Sequence, residues 1–595
     1  MYTNYIILVA ILYIFAYGFY VLTSHGAGNK AIFLQMRRYI PCPLAAVLPI
    51  AITHQSITEP FFLVPLIIAF LWIVTYPTLY YITNHNVSSD FEFHFDSVFG
   101  YYFVAWITSL LILANYVPIL ALPISVIITI IELLVLTIPI AQIVYYMLYG
   151  GCINDSGMQM LQDTYLNETL EFIKSMPLVL NILSVLSLGA FCYYVAQSNY
   201  QFLIAPLNLH IYAHVILLIL AIVLTIYLWK QNHGVFVRTG IVEFYLDVKS
   251  YRESNKLYLI NRNERMRNLE VKVLGQPFNK PSTIILVIGE SASRDYMKAI
   301  NHNYKYDTTP WLSEANKSKN FIIYPNAYSV GGNTVLALSR ALTEFNQYDN
   351  NSFNSSCSIV DIAQKAGYNV HWYSNQGHIG SADTPITLVA ETSNVSKWTK
   401  QGLNKIQYDE SLISYLDEVD PTKNNFVVLH LKGNHFNFLN RFPESFTKFG
   451  KPGNYDLEVN YADSIAYTDY VLQQIFEYAK DKLNLQSMVY FSDHATIPDK
   501  RRSPNFQGFA IARIPFFTYF SDEYIEKNPE VYNSLKENKD KYWTNDLSYE
   551  LMCSIFNISS NRFKEENSIA SKKYKFKKED LRTNLGETPI TDDNA

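Results

Sequence analysis

The stretch Pro281-Ser282-Thr283-Ile284-Ile285-Leu286-Val287-Ile288-Gly289-Glu290-Ser291 decides how the C-terminal half of this chain folds. An unbroken apolar, β-branched run, bounded by proline on one side and glycine on the other, reads as a strand buried on both faces. Tyr368–Tyr373, Phe426–Leu431 and Ser487–Ser492 read the same way. Helical patterns over Thr334–Phe345, Ile359–Ala366 and Tyr461–Ala479 alternate with them. This alternation predicts an α/β sandwich with a mostly parallel sheet. Ligands of such sheets sit beyond the carboxyl ends of the strands, so the polar residues after each run carry the functional information.

After the first run comes Gly289-Glu290-Ser291, and after the last comes Ser492-Asp493-His494. Between them Gly331-Gly332-Asn333-Thr334 opens a helix, and Lys432-Gly433-Asn434-His435 follows Phe426–Leu431. Two carboxylates, an imidazole and a hydroxyl at one sheet edge suit a divalent cation such as zinc. A threonine hydroxyl is a poor nucleophile at neutral pH, and a divalent cation lowers its pKa. A helix N-terminus at Thr334 adds backbone N–H groups where a phosphoryl group would lie. Each piece also has a plainer reading: Glu290 as a helix cap, Thr334 as an N-cap, Asp493-His494 as a surface turn.

Working outward toward the N-terminus, the composition changes. The 595-residue chain is 49% hydrophobic and 17% charged, with a net charge of −5, so no basic field points to nucleic acid. The apolar residues crowd into the first 230 positions. A membrane helix needs roughly 20 apolar residues. Tyr5–Leu22, Phe61–Ile82, Tyr101–Leu120, Leu122–Leu148, Leu178–Ala196 and Ile211–Trp229 qualify, and Ile40–Ile52, short and holding three prolines, is a candidate seventh or re-entrant piece. His25–Arg38 carries Lys30, Arg37 and Arg38, whereas Asn84–Ser97 carries no Lys or Arg. With six helices the basic loop lies inside, with seven it lies outside; both schemes put everything after Trp229 outside the cytoplasm. Ile241, Phe244, Tyr245 and Val248 then fall at helical spacing within Gly240–Asn268, as in an amphipathic helix lying on a membrane or packed on the soluble part. Of the five cysteines, Cys357 and Cys553 alone fall in the soluble half, as one disulfide or two free thiols.

These motifs resemble the phosphoethanolamine transferases of Gram-negative envelopes, members of the alkaline phosphatase/sulfatase superfamily. The resemblance rests on Val287-Ile288-Gly289-Glu290-Ser291, Asn333-Thr334, Gly433-Asn434-His435 with Arg441-Phe442-Pro443, Tyr461–Asp469 and Phe491-Ser492-Asp493-His494, along most of Pro281–Phe520. It implies that Glu290, Thr334, Asp493 and His494 bind a catalytic zinc, with Thr334 the nucleophile and a second zinc left open. It implies that His435 lies near the phosphoryl group and that His378, in Trp372–Asp383, contacts phosphate; Asn333 joins the substrate-binding set. Glu132, in the apolar run Thr129-Ile130-Ile131-Glu132, resembles the family's Thr-x-x-Glu, whose carboxylate holds the ethanolamine ammonium of the donor lipid; a glutamate that only packs helices is the rival reading. The implied reaction moves phosphoethanolamine from phosphatidylethanolamine to a lipopolysaccharide or lipooligosaccharide acceptor (lipid A or a core sugar) through a covalent phosphothreonine. It implies a monomer in the bacterial inner membrane. The expected domains are a transmembrane part over 1–230, an amphipathic interfacial linker over 231–280, a periplasmic catalytic domain over 281–560 and a charged, terminally flexible tail over 561–595.

The sequence also departs from the family. Ala495 replaces the usual glycine after Asp-His, Ile130 replaces the usual asparagine after the threonine, and Pro498–Phe509 lacks a histidine that many members carry. A phosphoglycerol transferase, a sulfatase-like hydrolase and a non-catalytic envelope scaffold remain alternatives. Sulfatases use a Cys or Ser in a Cys/Ser-x-Pro-x-Arg context, and Asn333–Leu338 offers none.

Overall fold

The computed structural model describes residues 2–23, 41–84, 94–153, 177–242, 256–349, 351–376, 384–399, 406–436, 438–451, 456–499 and 508–594, with a few single positions between. They form two compact units, one built from Met1–Gln159 and Ile173–Lys249, the other centred on Ser250–Ala595.

The first unit is helical: α1 (Tyr2–Thr23), α2 (Cys42–Thr53), α3 (Pro60–Asn84), α4 (His94–Asn115), α5 (Ala121–Tyr149), α6 (Leu178–Ile204) and α7 (Ile211–Phe236). Among the described residues, α3 to α7 are the five helices long and apolar enough to cross a membrane. The other two are α1, of 22 residues, and α2, of 12. The described side chains of α1 end at Phe15. The 12 residues of α2 make a helix of about 18 Å, against a hydrocarbon core of about 30 Å. Helix α4 starts and ends earlier than its apolar run suggests, because Asp96 and Ser97 are buried in its first turns and Pro118 begins a separate 3₁₀ turn. It is the most buried of the five long helices. A Cβ on its Gly100 would lie 2.8 Å from the Ala69 carbonyl oxygen of α3, so glycine permits that close crossing. Its Asn115 amide donates to the Phe202 and Ala205 carbonyls at 2.7 and 2.8 Å, satisfying orphan acceptors at the end of α6.

The second unit is an α/β sandwich. The strands of its central sheet are β1 (Thr283–Gly289), β2 (Phe321–Ile323), β3 (Asn369–Ser374), β4 (Val395–Trp398), β5 (Asn425–His430), β6 (Leu485–Ser492) and β7 (Phe516–Phe520). They lie in the order β2-β7-β6-β1-β5-β3-β4. The five from β6 to β4 run parallel, and β7 and β2 add an antiparallel edge. This is the mostly parallel sheet expected from the alternating runs. Alternate residues of β1 serve two cores: Ile284, Leu286 and Ile288 pack in one layer, Ile285 and Val287 in the other. Helices α8 (Thr334–Ala341) and α9 (Ile359–Lys365) cover the first face, and α10 (Leu457–Lys482) covers the second.

Of the residues read as an amphipathic helix, Phe244 and Val248 lie outside the described residues, and further on the chain makes two short helices over Leu257–Ile260 and Arg262–Asn268. Cys357 and Cys553 are buried free thiols in one apolar layer. The segment after Asn561 is no flexible tail. Leu581 and Ile590 are fully buried, and Thr583 Oγ1 and the Leu585 amide donate to the Ser329 and Val330 carbonyls at 2.7 Å each. Sparse apolar residues hid this packing, because the charges between them dominate the local composition.

Candidate active site

The carboxyl edge of the sheet gathers the residues that the spacing singled out. Glu290 follows β1, Asp493 and His494 follow β6, and Thr334 is the first residue of α8. The ligand atoms of Glu290, Asp493 and His494 lie within 4.8 Å of one another, and all three side chains are buried. His494 Nε2 is 3.4 Å from Glu290 Oε1 and 3.2 Å from Asp493 Oδ2. Its Nδ1 donates to the Ala495 carbonyl at 2.9 Å, which leaves the Nε2 lone pair facing the carboxylates. Asp493 is oriented the same way: its Oδ1 accepts from the backbone amides of Ser291 at 2.9 Å and of His494 at 2.7 Å, turning Oδ2 toward the imidazole. Two buried carboxylates and an imidazole lone pair so close together form a donor set that fits a divalent cation.

Thr334 is freed for chemistry by its neighbour. Asn333, not Thr334, caps α8: its Oδ1 accepts from the Val335 and Leu336 amides at 2.9 and 3.3 Å. Thr334 Oγ1 instead donates to Glu290 Oε2 at 3.0 Å and lies 3.2 Å from His494 Nε2. The plainer readings of Thr334 as an N-cap and of Asp493-His494 as a surface turn do not describe this arrangement.

Several residues with no role legible in the sequence hold the site in place. Ser291 leaves β1 with φ 57° and donates its hydroxyl to Glu290 Oε1 at 2.7 Å. Gly433 has φ 52°, and a Cβ there would lie 2.8 Å from the Glu290 carbonyl oxygen and 2.9 Å from its amide nitrogen. Asp409 binds the amides of Lys432 and Gly433 at 2.7 and 2.8 Å, and the Asn434 amide donates to the Glu290 carbonyl at 2.8 Å. Behind Asp493, Asn545 Nδ2 donates to its carbonyl at 2.7 Å. No spacing signal marks Asp409 or Asn545, since both reach the site from distant loops. Burial pushes the pKa of His430, at the end of β5, down to about 4, against the opposing charge of Glu290.

His435 sits half-buried in the turn after β5, with Nδ1 3.4 Å from the Phe436 carbonyl, and is not among the three clustered ligands. His378 lies outside the described residues. In the helical unit, Glu132 on α5 is 1% exposed and its Oε2 accepts from Asn199 Nδ2 of α6 at 2.9 Å. A polar Asn199 inside the apolar run of α6 was the available signal for this partner.

A family model described as Sulfatase matches residues 282–552. Residues 282–552 are thus similar to the sulfatase family. The phosphoethanolamine transferase EptC of Escherichia coli (strain K12) is 26% identical to the chain over 305 residues, covering 47% of this chain and 52% of that protein. A putative phosphoethanolamine transferase of Haemophilus influenzae is 31% identical over 223 residues, covering 35% and 44%. The chain thus spans about half the length of the curated relatives it matches. The integral membrane protein lipooligosaccharide phosphoethanolamine transferase A (EptA) from Neisseria meningitidis shares the fold, with a TM-score of 0.52 and 17% identity over 84% of this chain and 97% of that one. The resemblance read from the motifs is therefore borne out: these similar proteins carry phosphoethanolamine transferase names, and the family model that matches residues 282–552 is the sulfatase one.

Proposed function

We propose that this protein transfers phosphoethanolamine from phosphatidylethanolamine to a lipopolysaccharide or lipooligosaccharide acceptor, with Thr334 as the nucleophile. It does so from the bacterial inner membrane, with the sulfatase-family domain in the periplasm. One observation carries this reading: Thr334, relieved of capping by Asn333, directs its hydroxyl at Glu290 and His494 on the carboxyl edge of the sheet. Glu290, Asp493, His494 and Thr334 would hold a zinc ion, which when bound lowers the pKa of the hydroxyl and offsets charge on the phosphoryl oxygens.

The side chains then divide the work. The Thr334 proton passes to Glu290 as Oγ1 bonds to phosphorus, and the bond from phosphorus to the diacylglycerol oxygen breaks. That oxygen leaves with a proton from His435, the residue that the family resemblance puts near the phosphoryl group, and His378 is the residue that the resemblance assigns to the phosphate. An acceptor hydroxyl next attacks phosphorus of the phosphothreonine and gives its proton to His435, while the bond from phosphorus to Thr334 Oγ1 breaks and Oγ1 takes its proton back from Glu290. Glu132 favours an amine-bearing donor over phosphatidylglycerol. The alternative, phosphoglycerol transfer on the same fold, differs only in donor.

Incubation with headgroup-labelled phosphatidylethanolamine or phosphatidylglycerol separates the two. Label from phosphatidylethanolamine alone should reach extracted glycolipid, and Thr334→Ala should abolish it. Full transfer by Thr334→Ala would sink the scheme.

A further inference from the structure

A hairpin near the C-terminus sits on the loop that delivers Thr334. Arg582 and Thr583 pair antiparallel with Pro589 and Thr588, and Asn584-Leu585-Gly586-Glu587 form the tip. Leu581 and Ile590 bury its base. Thr583 Oγ1 donates to the Ser329 carbonyl and the Leu585 amide to the Val330 carbonyl, each at 2.7 Å. Ser329, Val330 and Thr583 are fully buried, so these carbonyls need donors from the protein itself. The tip turns through the left-handed region, with φ 53° at Asn584, 56° at Leu585 and 94° at Gly586. Leucine rarely enters that region, and it stays there where its surroundings impose it. Here the turn sets the Leu585 side chain against Gly331, whose Cβ would lie 3.3 Å from Leu585 Cδ2.

The other side of the same loop is keyed to Asp493. Ser329 Oγ lies 2.5 Å from the Asp493 carbonyl oxygen and 2.7 Å from that of Gly331. Asn545 bridges the two segments: its Oδ1 accepts from the Val330 amide at 2.9 Å and its Nδ2 donates to the Asp493 carbonyl at 2.7 Å. Residues 329–331 are thus held between the backbone of Asp493 and the hairpin. Gly332 and Asn333 alone separate this stretch from Thr334. Two consecutive glycines give the path wide conformational freedom, so contacts outside the loop must set it. We infer that the hairpin clamps the nucleophile loop, with Thr583 and Leu585 as positioning residues that keep Thr334 Oγ1 at Glu290 and His494. Both act through the backbone of 329–333. This assignment rests on Thr334 as the nucleophile, proposed above, and adds the sequence-distant segment that sets its place.

Two readouts test the clamp on the zinc-loaded, full-length protein in mixed micelles, for the wild type, Thr583→Val, Thr583→Ser and Leu585→Gly. Hydrogen exchange reports on the loop by itself. In Thr583→Val the peptide covering 329–338 should exchange about tenfold faster, the worth of one buried hydrogen bond, while α10 exchanges as in the wild type. Single-turnover labelling of Thr334 by headgroup-labelled phosphatidylethanolamine reports on position. Its maximal rate should fall about tenfold or more in Thr583→Val at an unchanged half-saturating mole fraction of lipid, because a misplaced nucleophile slows the step without touching donor binding. Thr583→Ser, which keeps the hydroxyl, should restore both. In Leu585→Gly the tip survives, since glycine adopts this φ without strain, yet the rate should still fall because the side chain against Gly331 is gone. A loop that exchanges as in the wild type in both Thr583→Val and Leu585→Gly overturns the clamp. A faster-exchanging loop with an unchanged labelling rate overturns its role in placing Thr334. Faster exchange throughout the domain, α10 included, also overturns it, since that marks a general loss of stability. A wild type that leaves no label on Thr334 overturns the nucleophile reading, and exchange alone then decides whether the hairpin clamps the loop.

Discussion

Gly433→Ala tests how the loop after β5 sets the position of Glu290. The residue has φ 52°, and an added methyl would meet the Glu290 backbone at 2.8 and 2.9 Å. The left-handed conformation costs an alanine about 1–2 kcal/mol. Relieving the contact requires a shift of a few tenths of an ångström between two backbones, adding about 1–3 kcal/mol. Gly367→Ala is the matched control: φ is 91°, but nothing lies within 4 Å of its added methyl. Both variants should lose stability in thermal unfolding, Gly433→Ala more. The decisive difference is at the site. The Asn434 amide bond to the Glu290 carbonyl would be strained, displacing Glu290 from Thr334 and His494. Zinc affinity, measured by competition with a chromogenic chelator, should fall about 10–100-fold in Gly433→Ala, the usual effect of disturbing the support of a ligand. It should stay unchanged in Gly367→Ala. Equal zinc affinity in the two variants would refute the claim that Gly433 places Glu290.

Chelation should lower the melting temperature of the full-length protein in detergent, and added zinc should restore it, because Glu290 and Asp493 then face each other across His494 alone; no change on either addition would contradict the ligand set. Arg513→Ala should cost about 2–3 kcal/mol, less than the full effect of a buried broken pair because Arg513 is partly exposed, and it leaves the buried Asp593 with the Tyr328 hydroxyl at 2.9 Å. A melting temperature equal to wild type would show that the C-terminal segment is not anchored through Asp593. His430 titrates near 4 in the folded protein and near 6.5 unfolded, so the unfolded chain gains protons between these values and stability is lost as pH falls from 6.5 toward 4. The loss amounts to at most about 3 kcal/mol, and His430→Phe should flatten this part of the stability–pH curve; an unaltered slope would contradict it.

The sequence exposed the sheet through runs such as Thr283–Ile288, because strands buried on both faces cannot hide their composition. It also exposed the cluster of Glu290, Thr334, Asp493 and His494, because parallel strands deliver their following residues to one edge. Strands β2, β4 and β7 were not legible: three to five residues at a sheet margin carry too little pattern. Asn333 as the cap, rather than Thr334, is a matter of one residue in register, which spacing does not resolve. Asp409, Asn545 and the segment around Leu581 and Ile590 act through contacts distant in sequence. Asn199 was visible as a polar residue in an apolar helix, but its partner on α5 required the packing of two helices.

The central claim is that Thr334 carries the transferred group. Peptide mapping by mass spectrometry of the zinc-loaded protein, quenched in acid after exposure to phosphatidylethanolamine without acceptor, tests it directly. The account predicts phosphoethanolamine on the peptide that contains Thr334, at Thr334 itself, and none on Thr334→Ala. Transfer activity without that adduct, or an adduct on another residue that survives Thr334→Ala, would contradict it.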